Sequence, residues 1–255
     1  MNSRINLLIY FLKKDLRARY AGSGLGMAWT VLLPVINIVL FWFVFSTILK
    51  ARPYAHTQIP YIYFLLSSFF FWLAFSEGLL RASYAIVENA EMVKKVAFPN
   101  VVLPVTVTLS CYIHHMIGFL LFIAAFSLVT SFSPVVVLVI PVLVLQLFFS
   151  LGLGMLASAL LPYMRDLGQV LGAVMQGLFF LSPIIYSIES IPEQFRVIFY
   201  FNPMTYFASS YHAIILMRQM PPLTYVGIIF VISFLSFVGG YYAFARLKAG
   251  FADVL

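Results

Sequence analysis

Six long apolar segments constrain this chain more than any other feature. They cover about residues 28–49, 61–80, 101–129, 135–161, 167–188 and 223–245. Each is close to or above the ~20 residues that a helix needs to cross ~30 Å of hydrocarbon. A helix satisfies its own backbone hydrogen bonds, whereas an open sheet in lipid leaves polar groups unpaired. The sequence therefore predicts an all-α integral membrane protein with six transmembrane helices, organised as a single domain over residues 1–255.

Composition agrees with a membrane environment and narrows the function. The chain is 63% hydrophobic and 9% charged, whereas soluble domains carry about 25% charged residues. Its net charge of +7 lies beside the apolar segments rather than in one patch. We interpret it as topological charge bias and expect no nucleic-acid partner. A single cysteine, Cys111, excludes an intrachain disulfide and any cysteine-based metal spacing, and no metal site is expected.

Lysine and arginine placement indicates the orientation of the chain. With the N-terminus inside, eleven of these residues fall in cytoplasmic segments and four in outer ones. The outer four are Lys50, Arg52, Arg196 and Arg218. Because positive residues are retained on the cytoplasmic side, we expect both termini in the cytoplasm. The first long apolar run begins near Met27, too late for the apolar core of a cleaved signal peptide.

The N-terminal region, residues 1–27, is predicted to begin with a helix in the membrane interface. Its apolar stripe at helical spacing comprises Ile5, Leu8, Ile9, Leu12 and Leu16. Lys13, Lys14 and Arg17 fall largely off that stripe, which is typical of a helix whose basic edge faces anionic headgroups. The helix is either a plain lipid anchor or part of an entrance surface for a partner or substrate.

A polar but patterned segment joins the second and third apolar runs. Its apolar stripe comprises Ile86, Val87, Ala90 and Val93. Acidic residues come early and lysines late, as a helix dipole prefers, and Pro99 stops the helix. We therefore predict a short cytoplasmic helix, which either seats in a groove of a partner or serves as a surface connector.

Residues 189–222, between the fifth and sixth runs, are punctuated by prolines and predict two short helices on the outer side. Their apolar faces carry Phe195, Phe199, Phe207 and Tyr211. Asn202 is the predicted N-cap of the second helix, and Pro203 its first residue. Because each helix is too short to span a bilayer, we expect a re-entrant or interfacial hairpin that gates an exit.

A few polar and small residues inside the runs are candidates for packing rather than chemistry. His114 and His115 point about 100° apart on a helix, so we expect neutral histidines bonded to neighbouring helices. Glu77 and Arg81, four residues apart, are a predicted helix ion pair. The predicted small-residue packing faces comprise Ser150, Gly154 and Ser158 in the fourth run, and Gly168 and Gly172 in the fifth.

Several motifs, taken in order, resemble those of one transporter family. They read KKDLRARYAGSGLGMAW with Pro34, ENAEMVKKVAFP, YMRDLGQ, FLSPIIY, NPMT and FAD. Together they resemble the ABC-2 type export permeases, above all the membrane subunits that export lipid-linked polysaccharides. No G-x-x-x-x-G-K-[ST] loop occurs, so this chain is not expected to hydrolyse ATP alone. The resemblance implies a transport subunit and not an enzyme.

The resemblance implies a homodimeric permease in the bacterial inner membrane that works with two copies of a separate ATPase. It implies that this chain binds no cofactor, and that ATP and Mg²⁺ are bound by the partner. The implied substrate is a glycan on an undecaprenyl pyrophosphate carrier, with O-antigen favoured over teichoic acid or capsular polysaccharide. The residues implied to couple to the ATPase are Glu88, Asn89, Glu91, Met92, Val93, Lys94, Lys95 and Phe98. Those expected to draw the lipid pyrophosphate to the cytoplasmic entrance are Lys13, Lys14, Arg17 and Arg19.

Three other classes of function stay open on the residues alone. A drug or small-lipid efflux permease would not need a lumen the size of a glycan. A polytopic enzyme such as a glycolipid transferase would favour acidic residues clustered at one membrane face, and the eight acids here are scattered. A structural scaffold is disfavoured by the patterned cytoplasmic helix.

Overall fold

The computed structural model describes residues 2–19, 22, 24–48, 50, 60–130 and 133–255, without the side chains of residues 2–4, 27 and 30. The α-helices in these ranges are α1 (Asn2–Ala18), α2 (Trp29–Phe41), α3 (Tyr61–Tyr84), α4 (Ala90–Lys95), α5 (Val102–Val129), α6 (Val139–Leu160), α7 (Leu167–Phe180), α8 (Glu193–Tyr200), α9 (Pro203–Ile215), α10 (Leu223–Leu247) and α11 (Phe251–Val254). Outside the described residues lie Tyr20, Ala21 and Ser23 of the first motif, Leu49 at the end of the first predicted span, and Arg52.

Five helical segments in the described ranges are long and apolar enough to cross a membrane. They are Val31–Ile48, Tyr61–Tyr84, Val102–Val129, Pro134–Leu160 and Leu223–Val254. The first continues from α2 into a π-helical stretch at Trp42–Ile48. These segments correspond to five of the six predicted spans, and the prediction of an all-helical, multi-pass protein is confirmed.

The fifth predicted span is a shorter helix than the sequence indicated. α7 ends at Phe180 after 14 residues, so the predicted helical extension to residue 188 is wrong. Pro183 has no N–H to donate and restricts the residue before it, which ends the helix. Asn202 then closes this end, because its Nδ2 donates to the Leu181 carbonyl at 2.9 Å and to Ser182 Oγ at 2.8 Å.

α3 lies at the centre of the helical bundle. In its most apolar stretch 78% of the residues are buried, against 6% in the stretch that contains α2. α5, α6, α7 and α9 contact α3, and the Phe71 ring of α3 stacks on Tyr211 of α9 with centroids 3.7 Å apart. α3 is therefore the element on which the others are assembled, and α2 lies at the periphery.

α6 and α10 cross with almost no space between their backbones. A Cβ atom at Gly152 would overlap the backbone of Ser236, and one at Gly240 would overlap the carbonyl group of Gly152. The Ser236 hydroxyl also donates to the Phe149 carbonyl at 3.0 Å. Small residues allow such an approach, which gains dispersion contacts that a bilayer does not otherwise supply.

The predicted small-residue faces have mixed outcomes. Gly154 on α6 lies against Ala82 of α3, so this packing face is confirmed. On α7, Gly168 lies under the Tyr84 ring, and a side chain there would overlap it. A Cβ atom at Gly172 would meet no heavy atom of the described residues within 4 Å, so the α7 face is confirmed at one of its two glycines.

The short segments outside the long helices follow the sequence in outline. The predicted cytoplasmic helix is α4, but it has only six residues, because a turn at 85–89 separates it from α3. Ile86, predicted on the helical stripe, is fully buried in that turn. The predicted outer pair is α8 and α9, and Asn202 caps α9 as predicted by accepting from the Met204 N–H at 3.0 Å.

Candidate functional site

A cluster of ionisable side chains joins the end of α1 to α3 and α5. Arg81 of α3 donates to both carboxylate oxygens of Asp15, at 2.7 and 3.2 Å. Arg19 Nη2 lies 2.7 Å from Glu77 Oε1, and His115 Nε2 lies 2.6 Å from Glu77 Oε2. We call Asp15, Arg19, Glu77, Arg81 and His115 the charge cluster. It confirms the prediction that His115 bonds to a neighbouring helix.

The local sequence explains how the charge cluster forms. Arg19 directly follows the last residue of α1 and lies one turn after Asp15, to whose carbonyl its N–H donates at 3.2 Å. Glu77 and Arg81 are one turn apart on α3, so each pair lies on one face. In each pair the acidic residue comes first along the chain and the basic residue second. An antiparallel approach therefore places each acid opposite the base of the other helix. The predicted pair within α3 is the weaker contact, with 3.9 Å between Arg81 Nη1 and Glu77 Oε1.

Burial decides what these ion pairs contribute. Each pair joins a largely buried side chain to a more exposed one: Arg19 (10% exposed) with Glu77 (32%), and Asp15 (17%) with Arg81 (35%). A complete buried pair adds little net stability, whereas removing one partner leaves a charge without compensation. The bidentate geometry of Arg81 on Asp15 also restricts orientation. The charge cluster therefore mainly determines how α1 is placed against α3.

Cys111 of α5 lies beside both guanidinium groups. Its Sγ is 3.0 Å from Arg19 Nη2 and 3.5 Å from Arg81 Nη1. Arg19 Nε is also buried, and it has no hydrogen-bond acceptor among the described residues. A buried donor without an acceptor costs about 1–3 kcal/mol, so Arg19 Nε adds to the cost of holding this guanidinium inside the bundle.

A cavity of about 490 Å³ lies beside the charge cluster. Its polar lining comprises Arg19, Asn37, Glu77, Arg81, His114 and His115. Leu33 and Pro34 of α2 and Phe70 and Leu73 of α3 supply its apolar lining. Within the described ranges, no group of three or more His, Cys, Asp and Glu side chains could hold a metal ion. A concave site with a few convergent polar groups inside an apolar bundle is the best candidate for ligand binding.

The four basic residues expected to attract a lipid pyrophosphate lie in two different environments. Lys13, Lys14 and Arg17 are exposed on α1, and Lys14 Nζ lies 5.8 Å from the centre of the Phe11 ring. Arg19 is instead held by Glu77. An anion at the surface can therefore reach the first three side chains, whereas Arg19 is already neutralised by a carboxylate.

α1 runs along the beginning of α5. Phe11 stacks on Phe98 with centroids 6.0 Å apart, and Arg19, two turns later, reaches Cys111. Phe11, which lies off the predicted apolar stripe, is buried, while Ile5 and Ile9 of that stripe are 53% and 41% exposed. The bundle is therefore contacted by a face that includes Phe11, and much of the predicted stripe stays available to lipid.

The segment expected to meet an ATPase has an exposed and a supported side. Its exposed charged residues are Glu88, Glu91, Lys94 and Lys95. Met92, Val93 and Phe98 pack instead against a buried apolar cluster that includes Phe11 and Phe251. The Asn89 amide donates to the Ala85 carbonyl at 2.9 Å and closes the preceding turn. Charged residues over an apolar support are the arrangement that a docking helix requires.

α11 lies next to α4. The C-terminal residues of the chain therefore support α4. Phe251 is 1% exposed, and its ring meets Phe244 edge-on at 5.6 Å. Tyr163, from the YMRDLGQ motif, donates its hydroxyl to the Leu247 carbonyl at 2.8 Å. The same hydroxyl leaves no room for a side chain at Gly250. Two motifs that are far apart in sequence thus meet at one end of the bundle.

The predicted gate residues lie in two different environments. On α8, Phe195 is exposed and Phe199 is half-buried. On α9, Phe207 and Tyr211 are buried in the core, at 0% and 1% exposure. α9 is therefore an integral part of the bundle, and α8 is the exposed member of the outer pair.

Gln146 is a structural residue that sequence reasoning missed. Its Oε1 accepts from the Tyr211 hydroxyl at 2.6 Å, and its Nε2 donates to the Phe71 carbonyl at 2.9 Å. It therefore ties α6 to both α9 and α3. The available signal was a lone amide within the apolar run 135–161, since a polar group in lipid needs partners.

Comparisons with known proteins extend over nearly the whole chain. Residues 6–216 match the family described as ABC-2 type transporter. Two proteins of Klebsiella pneumoniae, each named O-antigen export system permease protein RfbA, are 27% and 28% identical over 254 residues, or 98% of this chain and 95% of each relative. A protein of the same name from Myxococcus xanthus is 27% identical over 84% of this chain and 82% of its own length.

Proposed function

Because this chain belongs to the ABC-2 type transporter family, we propose that it is the permease subunit of an ATP-driven exporter of O-antigen polysaccharide. The observation that carries the proposal is the similarity to proteins named O-antigen export permeases over 95% of their length. The ordered motifs agree with it, because they are spread from α1 to α11. The chain acts as one transmembrane domain, residues 1–255, in the inner membrane.

The transporter comprises two copies of this chain and two copies of a separate ATPase. A nucleotide-binding loop of the G-x-x-x-x-G-K-[ST] type does not occur in this sequence, and the family implies that a partner supplies ATP hydrolysis, with its bound ATP and Mg²⁺. The exposed charges of α4, centred on Lys94 and Lys95, are the surface that meets this partner. Movement of α4 reaches α1 and α11, because all three pack on the same apolar cluster.

The chain crosses the membrane six times, which leaves both termini on one side, and the distribution of lysine and arginine assigns that side to the cytoplasm. The five long helices supply five crossings, and α7 with the segment after it supplies the sixth. A 14-residue helix is about 21 Å long, shorter than the ~30 Å hydrocarbon layer. α8 and α9 then complete the outer half of the bundle on that side and act as the exit gate, in which Phe195 is exposed and Phe199 is half-buried.

The lipid-linked substrate enters from the cytoplasmic side. Lys13, Lys14 and Arg17 are exposed on α1 and attract the undecaprenyl pyrophosphate through charge. Arg19 does not take part in this attraction, because it already forms an ion pair with Glu77. A polymer longer than the bilayer is thick cannot be enclosed in one cavity, which favours a continuous channel.

The experiment that tests the proposal is export in cells lacking their own O-antigen permease. We expect surface polysaccharide only when this chain is expressed with its ATPase, and none when the ATPase cannot hydrolyse ATP. The double charge reversal Lys94→Glu with Lys95→Glu is expected to abolish co-purification of the ATPase, and Lys248→Glu, another exposed basic residue, is its control. Export by this chain without an ATPase, or export of a small amphiphile in place of polysaccharide, would overturn the proposal.

A further inference from the structure

We propose that the cavity beside the charge cluster binds an uncharged sugar ring through its hydroxyl groups. The inference rests on the proposed function, and it assigns a place where the exported glycan contacts this chain. The cavity lies where α1, α2, α3 and α5 meet, and its volume of about 490 Å³ falls in the range of small-molecule sites.

The charge balance of the cavity selects the kind of ligand. Asp15 and Glu77 offset Arg19 and Arg81, and each carboxylate is already paired with a guanidinium at 2.7 Å. A phosphate group would bring charge without a counter-ion, because both guanidiniums that line the cavity are already paired, and it would also meet the Glu77 carboxylate beside them. Because an uncompensated charge is expensive in a low-dielectric site, a neutral polar ligand is favoured over an anion.

The polar groups of the cavity suit hydroxyl groups in particular. Arg19 lines the cavity, and its guanidinium donates hydrogen bonds and cannot accept them. Glu77 accepts hydrogen bonds, and the Asn37 amide both donates and accepts. A hydroxyl both donates and accepts, so a ring that carries several can satisfy all three side chains at once. The cavity offers these groups together, as part of a single lining.

The apolar lining completes the match with a sugar. Leu33 of α2 and Leu73 of α3 face the same cavity. A pyranose ring presents C–H groups on its faces and hydroxyls around its edge, so it can contact apolar and polar walls together. A purely ionic ligand would leave the leucine side chains without a complementary surface.

Leu33→Trp is the variant that tests the site, because the larger side chain fills the cavity without removing a charge. Leu32→Trp is the matched control, since Leu32 is a neighbouring residue of similar exposure, 38% against 42%, and does not line the cavity. Both variants keep Arg19, Glu77 and Asn37. Elution as a single species in gel filtration establishes that each variant is folded before binding is measured.

The measurement is ligand-observed NMR on the full chain in nanodiscs with its ATPase and without nucleotide. The probes are D-galactose, D-mannose and N-acetyl-D-glucosamine, with inorganic pyrophosphate as the charged probe. We expect saturation transfer to at least one sugar in the native chain and in Leu32→Trp, about tenfold weaker binding in Leu33→Trp, and no displacement by pyrophosphate. Absence of a signal for every sugar, an equal signal in Leu33→Trp, or displacement by pyrophosphate would each overturn the proposal.

Export measured with the same variants separates this inference from the proposed function. If the native chain exports polysaccharide but binds no sugar in the cavity, the site is wrong and the function stands. If the native chain exports no polysaccharide with its ATPase, the proposed function fails whatever the NMR result.

Discussion

Asp15 of α1 and Arg81 of α3 form a bidentate ion pair, at 2.7 and 3.2 Å, although 66 residues separate them in sequence. The pair fixes the start of the chain to the central helix. Beside it, Arg19 and Glu77 form a second pair in the opposite order along the two helices.

Charge exchange tests this antiparallel arrangement. Asp15→Arg and Arg81→Asp are each expected to lower the thermal midpoint of the purified protein, because each brings like charges together in a largely buried site. The double variant restores opposite charges, and we expect it to recover part of the loss, with a coupling free energy of about 1 kcal/mol or more. Thermal unfolding followed by gel filtration measures all three. A double variant no better than the sum of the single variants would show that the pair does not couple α1 to α3.

The close approach of α6 and α10 predicts a strong effect of one methyl group. Gly152→Ala is expected to reduce the amount of folded protein severely, because the new Cβ overlaps the backbone of Ser236. Gly172→Ala is the control, since a Cβ there meets no described heavy atom within 4 Å and the position is helical. Yield of the monodisperse protein from membranes is the readout. Equal yields from the two variants would contradict the observed crossing.

Support of α4 by α11 predicts that a C-terminal residue affects the ATPase partner. Phe251→Ala removes a ring that is 1% exposed, and truncations of this kind cost about 3–5 kcal/mol. We expect weaker co-purification of the ATPase and reduced export, with partial rescue in Phe251→Leu. Asp253→Ala, an exposed residue of the same segment, is expected to have no effect. Normal ATPase binding in a folded Phe251→Ala protein would show that α11 does not position α4.

The basic residues of α1 are expected to differ in what their loss affects. Reversal of Lys13, Lys14 and Arg17 to Glu leaves the charge cluster intact, so we expect reduced export at an unchanged thermal midpoint. Arg19→Glu places a carboxylate against Glu77 and is expected to lower the midpoint itself. Export assays in cells and thermal unfolding of the purified variants separate the two effects. An unchanged export rate in the triple variant would show that these exposed basic residues take no part in substrate capture.

Hydropathy was sufficient to find the long helices, because a bilayer requires about twenty apolar residues regardless of what surrounds them. Local rules also located the Asn202 cap. They did not end α7 at Phe180, since a run of apolar residues continues past the break that Pro183 causes. The presence of the long helices was therefore easier to predict from this sequence than the residue at which a helix ends.

Which face of each helix meets which neighbour could not be predicted in the same way. Ser150, Gly154 and Ser158 marked one packing face of α6, but the rest of the helix is largely apolar, and nothing in the sequence distinguished Gly152 as the crossing point with α10. Asp15 lies within a stretch of basic residues, and nothing in the local sequence distinguishes it as the partner of a distant arginine. Its pairing with Arg81 depends on the approach of two distant helices, which no local pattern encodes.

The hydrogen bonds of Gln146 give the two outer helices different degrees of freedom. α9 is anchored by Tyr211 to α6 and, through Gln146, to α3, so moving it means breaking bonds in the centre of the molecule. α8 has no buried residue among those described, and it is joined to α9 by hydrogen bonds from Thr205 to the Phe199 carbonyl and from Tyr206 to the Tyr200 carbonyl. Any rearrangement at this end of the molecule is therefore less costly for α8 than for α9, because displacing α8 breaks contacts at the surface and leaves the centre of the bundle closed.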